Sequence, residues 1–216
     1  MVKTTEIKSR LVADIARGAI GAGERLRIDD LSRRYGASHM PIRTALQELH
    51  GAGLLRQGPG RSMQLVTLDR AAIGSLFATR YAVESMLTRV ASQRITRPGV
   101  AELEAIQQRL EDSVASGDDE GVLVANREFH TRLYAIAENH EANAIIERHW
   151  LLLQLLWAQV GFGAERYPGV INDHRHLLTA LSSNDVEAAG VLMGAHVTKA
   201  KHELIGRLYG RPGADS

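Results

Sequence analysis

Four residues in the second half of the chain combine side-chain types that bind divalent metal ions. Asn126 and His130 are four residues apart, so they share one face of a predicted helix. His174 and His196 fall on two later predicted helices. Imidazoles from three helices, joined by an amide oxygen, can converge in the core of a helical bundle and bind a divalent cation. The spacing alone leaves a second interpretation open, in which these are scattered surface or core histidines.

A second group of residues, nearer the N-terminus, has side-chain types and a spacing that are typical of DNA-binding motifs. Residues 29–66 are patterned as a helix, a tight turn, a second helix and a short β-hairpin. Ser38 is predicted to cap the second helix, and Arg43 projects away from its apolar face. A polar helix N-terminus that projects from an anchored helix pair is the device that reads a DNA major groove.

The elements that must position these residues follow from apolar spacing and from Gly, Pro and Ser breakers. Asp29 or Asp30 is expected to cap the first helix of the motif, and the hairpin is expected to be a two-stranded wing that turns at residues 58–60. Helices are predicted near 7–17, 70–94, 98–116, 118–138, 141–161, 168–181 and 184–209.

The predicted fold class is therefore mainly α. A winged helix-turn-helix over residues 1–68 is followed by an all-α antiparallel helical bundle of six to seven helices over residues 69–216. The helix at 141–161 is apolar nearly all round in its second half, so we expect it at the centre of the bundle or at a dimer interface.

Composition narrows the class of protein. The 216 residues contain no cysteine, which excludes disulfides and zinc–thiolate sites, and no apolar run is long enough to span a membrane, so a cytoplasmic protein is expected. Residues 1–68 carry 11 Lys/Arg and 6 Asp/Glu, a net charge of +5, whereas residues 69–216 carry 15 and 19, a net charge of −4. The positive excess lies on the part that is patterned to bind DNA phosphates.

Three segments in the first part resemble the winged helix-turn-helix of GntR-family transcriptional regulators: IARGAIGAGERL at 15–26, GASHMPIRTALQELHGAGLL at 36–55, and the wing after them. TRYAVE at 79–84, followed by all-helical sequence, resembles the FadR-type branch with its helical FCD effector domain. The resemblance covers nearly the whole chain. It implies a ligand-responsive regulator, of the repressor kind, that binds double-stranded operator DNA as a homodimer.

The resemblance also implies which residues contact DNA. Arg43 matches an arginine on the family's recognition helix, and Ser38 matches a hydroxyl position that can bond a phosphate. Gly60 and Arg61 fall at the wing tip, where they can enter the minor groove. Beyond the resemblance, the charges of Arg33 and Arg34 suit phosphate contacts, although a solvated helix face explains them equally well.

Two positions depart from the family's usual Ser-Arg-Thr-Pro run, because His39 and Met40 stand where an arginine and a small hydroxyl residue are usual. Asp29 stands where some members use an arginine. These changes leave the expected fold intact but alter the expected operator. A histidine loses its charge near pH 6.5, so binding through His39 should weaken as pH rises through that range, which operator affinity at fixed salt would measure.

For the second domain, the segments at 126–139 and 173–200 resemble the metal-binding helices of the family's effector domain. The resemblance implies that Asn126, His130, His174 and His196 bind a divalent ion, with Zn, Ni and Mn all suitable, and that the ion helps to hold a small carboxylate effector. The family's usual first ligand is an aspartate. A neutral Asn126 should lower the metal affinity or alter its selectivity.

The resemblance places Arg80 near the same pocket, where its guanidinium can grip a carboxylate through two hydrogen bonds. Glu84, four residues later, is an equally good partner for Arg80. Tyr134 can line the pocket or pack in the core.

An alternative class is a metal-dependent helical-bundle enzyme with an accessory winged domain. That class needs a general base near the metal, and Glu128 and Asp173 are the acidic residues that flank the ligands in sequence. The chain has no Glu-x-x-His pair of the di-iron type. The prediction is therefore a regulator and not an enzyme.

Overall fold

The computed structural model describes residues 4–21, 23–161 and 163–210. Most of these residues are helical, and the described strands all lie between residues 25 and 65. The helices are α1 (Thr4–Ala16), α2 (Ile28–Tyr35), α3 (His39–Gly51), α4 (Arg70–Arg94), α5 (Arg97–Ser116), α6 (Asp119–Ile136), α7 (His140–Val160), α8 (Tyr167–Ser182) and α9 (Val186–Tyr209). The strands are β1 (Arg25–Leu26), β2 (Leu55–Gln57) and β3 (Met63–Leu65). The predicted fold class, a winged helix-turn-helix followed by a helical bundle, is confirmed.

Residue contacts divide the described chain into two compact units. The first unit contains the residues up to Arg70 together with Arg148–Gly161. The second unit contains Ala71–Glu147 and the described residues after 162. The domain boundary after residue 68 stays a prediction.

The first unit is built on packing of α1 and α2 against α3. The apolar residues of α3 at helical spacing are all buried, namely Ile42, Ala45, Leu46 and Leu49. Gly36 ends α2 in the left-handed conformation with φ 61°, and its N–H donates to the carbonyl of Ser32. Because that conformation costs a side-chain-bearing residue energy, glycine is suited to this tight turn.

The wing has three strands and not the predicted two. The strand order is β1-β3-β2, and both pairings are antiparallel. β1 is only two residues long, and so short a strand has no periodicity that a sequence pattern could reveal.

The predicted capping of α2 by Asp29 or Asp30 is wrong. The helix begins at Ile28, its N-cap is Arg27, and no side chain makes the capping hydrogen bond. Both aspartates instead lie in the first helical turn, where negative charge interacts favourably with the helix dipole.

In the second unit, α5 packs on α6 and α8, and α8 packs on α9. Each predicted helix from residue 70 onward is confirmed, with both ends within two residues of the prediction. Local capping explains this agreement: Gly117 ends α5 with φ 73°, and the Asp118 side chain accepts a hydrogen bond from the N–H of Gly121 at the start of α6.

Of the two positions expected for the second half of α7, the centre of the bundle is wrong, because Arg148–Gly161 belongs to the first compact unit. A position at a dimer interface stays a prediction. The leucines 152, 153, 155 and 156 of this segment are buried, as their apolar pattern requires. Arg148 lies against Gly53, so closely that a Cβ at that position would collide with the guanidinium.

No helix in the described part of the chain is long and apolar enough to cross a membrane.

Candidate metal centre and nucleic-acid interface

Three imidazoles meet inside the second unit. His130 lies on α6, His174 on α8 and His196 on α9, and one ligand nitrogen from each lies within 4.8 Å of the others. His130 and His174 are buried, and His196 is partly buried. We call these three residues the histidine cluster. The structure thus brings together the three histidines that the sequence predicted.

Each imidazole of the cluster uses Nδ1 for a hydrogen bond within the protein. His130 Nδ1 lies 3.0 Å from the hydroxyl oxygen of Tyr134. That hydroxyl donates to a carboxylate oxygen of Glu84, so it accepts from the Nδ1–H of His130.

The other two imidazoles are held in the same way. His174 Nδ1 lies 2.8 Å from Oε1 of Gln107, and His196 Nδ1 lies 3.3 Å from Oδ2 of Asp173. Both oxygens accept, so Nδ1 donates in each pair. Each imidazole therefore donates a hydrogen bond from Nδ1, so Nε2 is the nitrogen through which each would bind a metal ion.

The electrostatics favour the neutral forms of His130 and His174. Burial, and then the neighbouring histidines, lower the pKa of His130 well below its usual value. Burial also lowers the pKa of His174, with His196 adding to the effect. Neutral imidazole is the form that binds metal ions.

Oδ1 of Asn126, which lies one turn before His130 on α6, and Nε2 of His174 are buried and have no hydrogen-bond partner. Buried polar atoms are almost always paired in folded proteins. Three imidazole nitrogens and an amide oxygen form a donor set that suits Zn, Ni or Mn. The residues present therefore fit a divalent ion, which would act there as a Lewis acid that holds carboxylate oxygens.

The two residues expected to bind an effector are both buried and both engaged. Arg80 Nε lies 2.7 Å from Oε1 of Glu84, the local pairing that the sequence left open. Tyr134 lies between Glu84 and His130, as described above, and its hydroxyl also lies 3.3 Å from the Met193 sulfur. Burial, and then the charge of Glu84, raise the pKa of Tyr134.

Sequence reasoning missed several partners of the cluster. Gln107 is buried on α5, 67 positions before the histidine it binds, and no sequence signal marks it. Asp173, which the sequence suggests only as a general base, binds His196 and Lys199. Arg166, which lies 2.6 Å from Glu203, has a charge that lowers the pKa of both His130 and His174.

The first unit contains a groove of about 440 Å³ at the N-termini of α2 and α3 and beside the wing tip. We call it the recognition groove. Its polar and charged lining residues are Arg25, Arg27, Asp29, His39, Arg43 and Ser62, with Gly60 at the wing. Arg25 and Arg27 were not predicted as site residues, although two basic residues before the motif helix are a signal that could have found them.

The predicted DNA-contacting residues of α3 lie at its exposed N-terminus. Ser38 is the N-cap residue, as predicted, although its side chain makes no capping hydrogen bond. Met40 is 66% exposed, which is unusual for a large apolar side chain, and Arg43 is exposed too. His39 Nε2 lies 3.3 Å from Oδ1 of Asp29. Arg61 belongs to the 3-10 turn at the wing tip, and its side chain lies outside the described residues.

Arg33 and Arg34 differ from each other. Arg33 pairs with Asp30 on the exposed face of α2. Arg34 Nη2 lies 2.7 Å from Oδ2 of the buried Asp14, which also accepts a hydrogen bond from Tyr35 at 2.8 Å. Arg34 therefore has a structural role within the unit.

Comparison with known proteins matches both parts of the chain to families. Residues 3–65 match the model of the bacterial regulatory proteins of the gntR family, and residues 75–199 match that of the FCD domain.

Individual relatives are similar over most of their length. The HTH-type transcriptional regulator McbR of Escherichia coli (strain K12) is 25% identical over 85% of this chain and 84% of its own. A probable D-xylose utilization operon transcriptional repressor of Paenarthrobacter nicotinovorans is 23% identical over 89% of this chain and 84% of its own. Among solved structures, E. coli McbR/YncC has the same fold, with a TM-score of 0.81 at 22% identity, over 96% of this chain and 100% of that one.

Proposed function

The chain belongs to the GntR family of bacterial regulatory proteins and carries an FCD domain, and from this membership we propose that it is a homodimeric repressor whose operator affinity responds to a divalent metal and a small carboxylate. It is a transcriptional regulator and not an enzyme, since the proteins it matches are transcriptional regulators. The enzyme alternative is therefore set aside.

The DNA-binding proposal rests on the exposed N-terminus of α3. His39, Met40 and Arg43 project there beside two further arginines of the recognition groove. Arginine can bond guanine through two hydrogen bonds, and an exposed methionine can contact a thymine methyl group. The wing tip, with Gly60 and Arg61, is proposed to reach the adjacent minor groove.

A binding assay tests this proposal. Fluorescence anisotropy with DNA from upstream of the protein's own gene should give saturable, salt-dependent binding. Arg43→Ala should weaken it by about 1–3 kcal/mol. Arg97→Ala, a matched loss of one exposed arginine from the second unit, should leave it unchanged. Absence of binding at low salt, with or without metal, would reject the proposal.

The orientation of the histidine cluster supports the proposed metal site. The imidazoles of His130, His174 and His196 each use Nδ1 within the protein and would bind an ion through Nε2, and Asn126 adds an unpartnered amide oxygen. An octahedral ion with four protein ligands of this kind retains positions for an anion, and zinc gains one when it expands to five ligands, so carboxylate oxygens can complete the coordination. We assign the effector contacts to Arg80 and Tyr134. Arg80 would bind the effector either in place of Glu84 or together with it.

Metal analysis of matched variants tests the site. His174→Ala should lose bound zinc, nickel or manganese after equilibration and gel filtration. His176→Ala changes an exposed histidine on the same helix and should retain the metal of the wild type. Equal metal content in the two variants would show that the cluster does not bind it.

The homodimer and the sign of regulation rest on the relatives. GntR regulators bind operator DNA, and two similar proteins bear the name of a transcriptional repressor. Sedimentation equilibrium should give twice the mass of the 23.6 kDa chain. A reporter under the protein's own promoter should rise when the gene is deleted. A monomer, or a reporter that falls, would contradict the respective part of the proposal.

A further inference from the structure

The proposed ligands bring no negative charge to a bound cation. Imidazole binds a metal as a neutral group, and the amide of Asn126 is neutral as well. A divalent ion held by these four side chains would therefore keep its full double charge inside a largely buried site.

The charged side chains around the histidine cluster do not compensate for that charge either. Arg80 and Arg166 are the two arginines whose charges act on His130, and Lys199 shares Asp173 with His196. Each of these three cations has a carboxylate partner within the unit, namely Glu84 for Arg80, Glu203 for Arg166 and Asp173 for Lys199. Glu203 is shared with Arg207, which also pairs with Glu165, so four positive and four negative charges cancel in these ion pairs.

An uncompensated charge in such a place is costly, because burial removes the water that would stabilise it. The charge must be balanced by whatever completes the coordination of the ion. A single carboxylate supplies one negative charge, whereas a dicarboxylate supplies two. Arg80 on α4 and Arg166 before α8 reach the surroundings of the cluster from two different elements, and a guanidinium is a good partner for a second carboxylate.

We propose that the effector of this site is a dianion of the dicarboxylate class, and that it and the metal ion bind cooperatively because it supplies the two negative charges that Asn126 and the histidine cluster lack. This inference rests on the metal and effector site proposed above. Coupling between two ligands is reciprocal, so each should strengthen the binding of the other by the same factor, typically about 5- to 150-fold.

The test measures zinc affinity of the full-length, metal-stripped protein by competition with a chromophoric chelator at fixed pH and ionic strength. The additions are malate and succinate, each compared with the acid that lacks one carboxylate, lactate and propionate. Blanks without protein correct for zinc bound by the free acids. Wild-type protein should bind zinc at least about tenfold more tightly with a dicarboxylate, and much less so with its monocarboxylate counterpart.

The Asn126→Asp variant tests the charge argument by zinc binding alone, without any added effector. It adds one carboxylate to the ligands in nearly the same shape, so zinc alone should bind about tenfold or more tightly than to the wild type. The advantage of dicarboxylates over monocarboxylates should shrink in this variant. Asn172→Asp adds the same charge at an exposed position of α8 and should change neither quantity.

The outcomes separate the two levels of the proposal. Equal enhancement by dicarboxylates and monocarboxylates, or no gain in zinc affinity in Asn126→Asp, would overturn the dianion inference while leaving the metal site in place. Zinc binding that persists unchanged in His174→Ala would overturn the metal site itself, and the inference with it.

Discussion

At the scale of single residues, three hydrogen bonds orient the histidine cluster before any ligand binds. Tyr134, Gln107 and Asp173 each accept the Nδ1–H of one imidazole. Folding thus bears the entropic cost of orienting the rings, and partners of this kind typically contribute about 10- to 100-fold to metal affinity. The same burial makes the cluster sensitive to protons.

The stability of the metal-free protein should depend on pH through His130 and His174. Their folded-state pKa values lie below the unfolded value of about 6.5, so below that pH the unfolded state binds more protons. The stabilisation is therefore complete above about pH 6.5 and is lost as pH falls, by up to about 1.4 kcal/mol per pH unit for each histidine. Urea unfolding of chelator-treated protein between about pH 7 and about pH 5.5 measures it.

Two variants provide the controls for this prediction. His174→Gln should reduce the slope of stability against pH, whatever its effect on stability at neutral pH. His176→Gln, at an exposed position of the same helix, should leave the slope unchanged. A wild-type slope near zero would be inconsistent with buried neutral imidazoles.

In the recognition groove, one carboxylate opposes the surrounding cations. Asp29 is exposed and lies beside His39, among arginines proposed to face DNA phosphates. Asp29→Asn removes a repulsive charge, so DNA affinity at low salt should rise roughly fivefold, or about 1 kcal/mol. Anisotropy titrations measure the gain. Asp112→Asn, an exposed change in the second unit, should show none, and an equal gain in both variants would argue against a local effect.

At the scale of elements, the turn between α2 and α3 sets where the recognition helix begins. Gly36 has φ 61°, and nothing lies within 4 Å of where its Cβ would be. The cost of a side chain at this position is therefore conformational and not steric.

Gly36→Ala should destabilise the protein by about 1 kcal/mol, because an L-residue in the left-handed conformation is strained. Gly51→Ala is the matched control: Gly51 ends α3 without a positive φ and also has open space around it. It should be neutral or stabilising by about 0.4–1 kcal/mol. Denaturant unfolding of both variants gives the comparison, and equal effects would mean that the turn conformation is not what matters.

Helices and their ends could be predicted from the sequence because their signals are local. Gly117 and Asp118 act within four residues of themselves, and the breaks they predict between α5 and α6 are found. The pairing of β1 could not be predicted, since two residues carry no period. The hydrogen bond between Gln107 and His174 forms only because α5 packs against α8. No sequence pattern within either helix predicts that contact.

The residues of the histidine cluster, like the helices, could be predicted from the sequence, whereas their hydrogen-bond partners could not. The position of the three histidines on separate helices, together with the family resemblance, predicts the cluster, and the structure brings the three side chains together. Their orientation was not predictable, because it depends on Tyr134, Gln107 and Asp173 across long sequence separations. Asp14, which binds both Arg34 and Tyr35, is likewise a buried partner that composition and periodicity conceal.

At the scale of the whole molecule, the two parts of the chain differ in charge. Residues 1–68 carry a net +5 and residues 69–216 a net −4. The positive charge therefore accompanies the recognition groove, which suits an encounter with DNA that is fast at low salt and weakens as salt increases.

A fragment that ends at Arg70 should be less stable than the first unit within the intact chain. It lacks Arg148–Gly161, which belongs to the same compact unit and contributes buried leucines. Guanidinium unfolding, followed by a probe attached within residues 1–70, should show a lower midpoint for the fragment. Equal midpoints would indicate that the α7 segment adds nothing to the unit.

The return of α7 to the first unit also has a consequence for biosynthesis. The first unit is encoded mainly by residues up to Arg70, yet its last segment, Arg148–Gly161, is translated only after Ala71–Glu147 of the second unit. At bacterial elongation rates of about 5–20 residues per second, the nascent unit waits several seconds for that segment. Newly made protein thus acquires a complete first unit only after Gly161 has been translated.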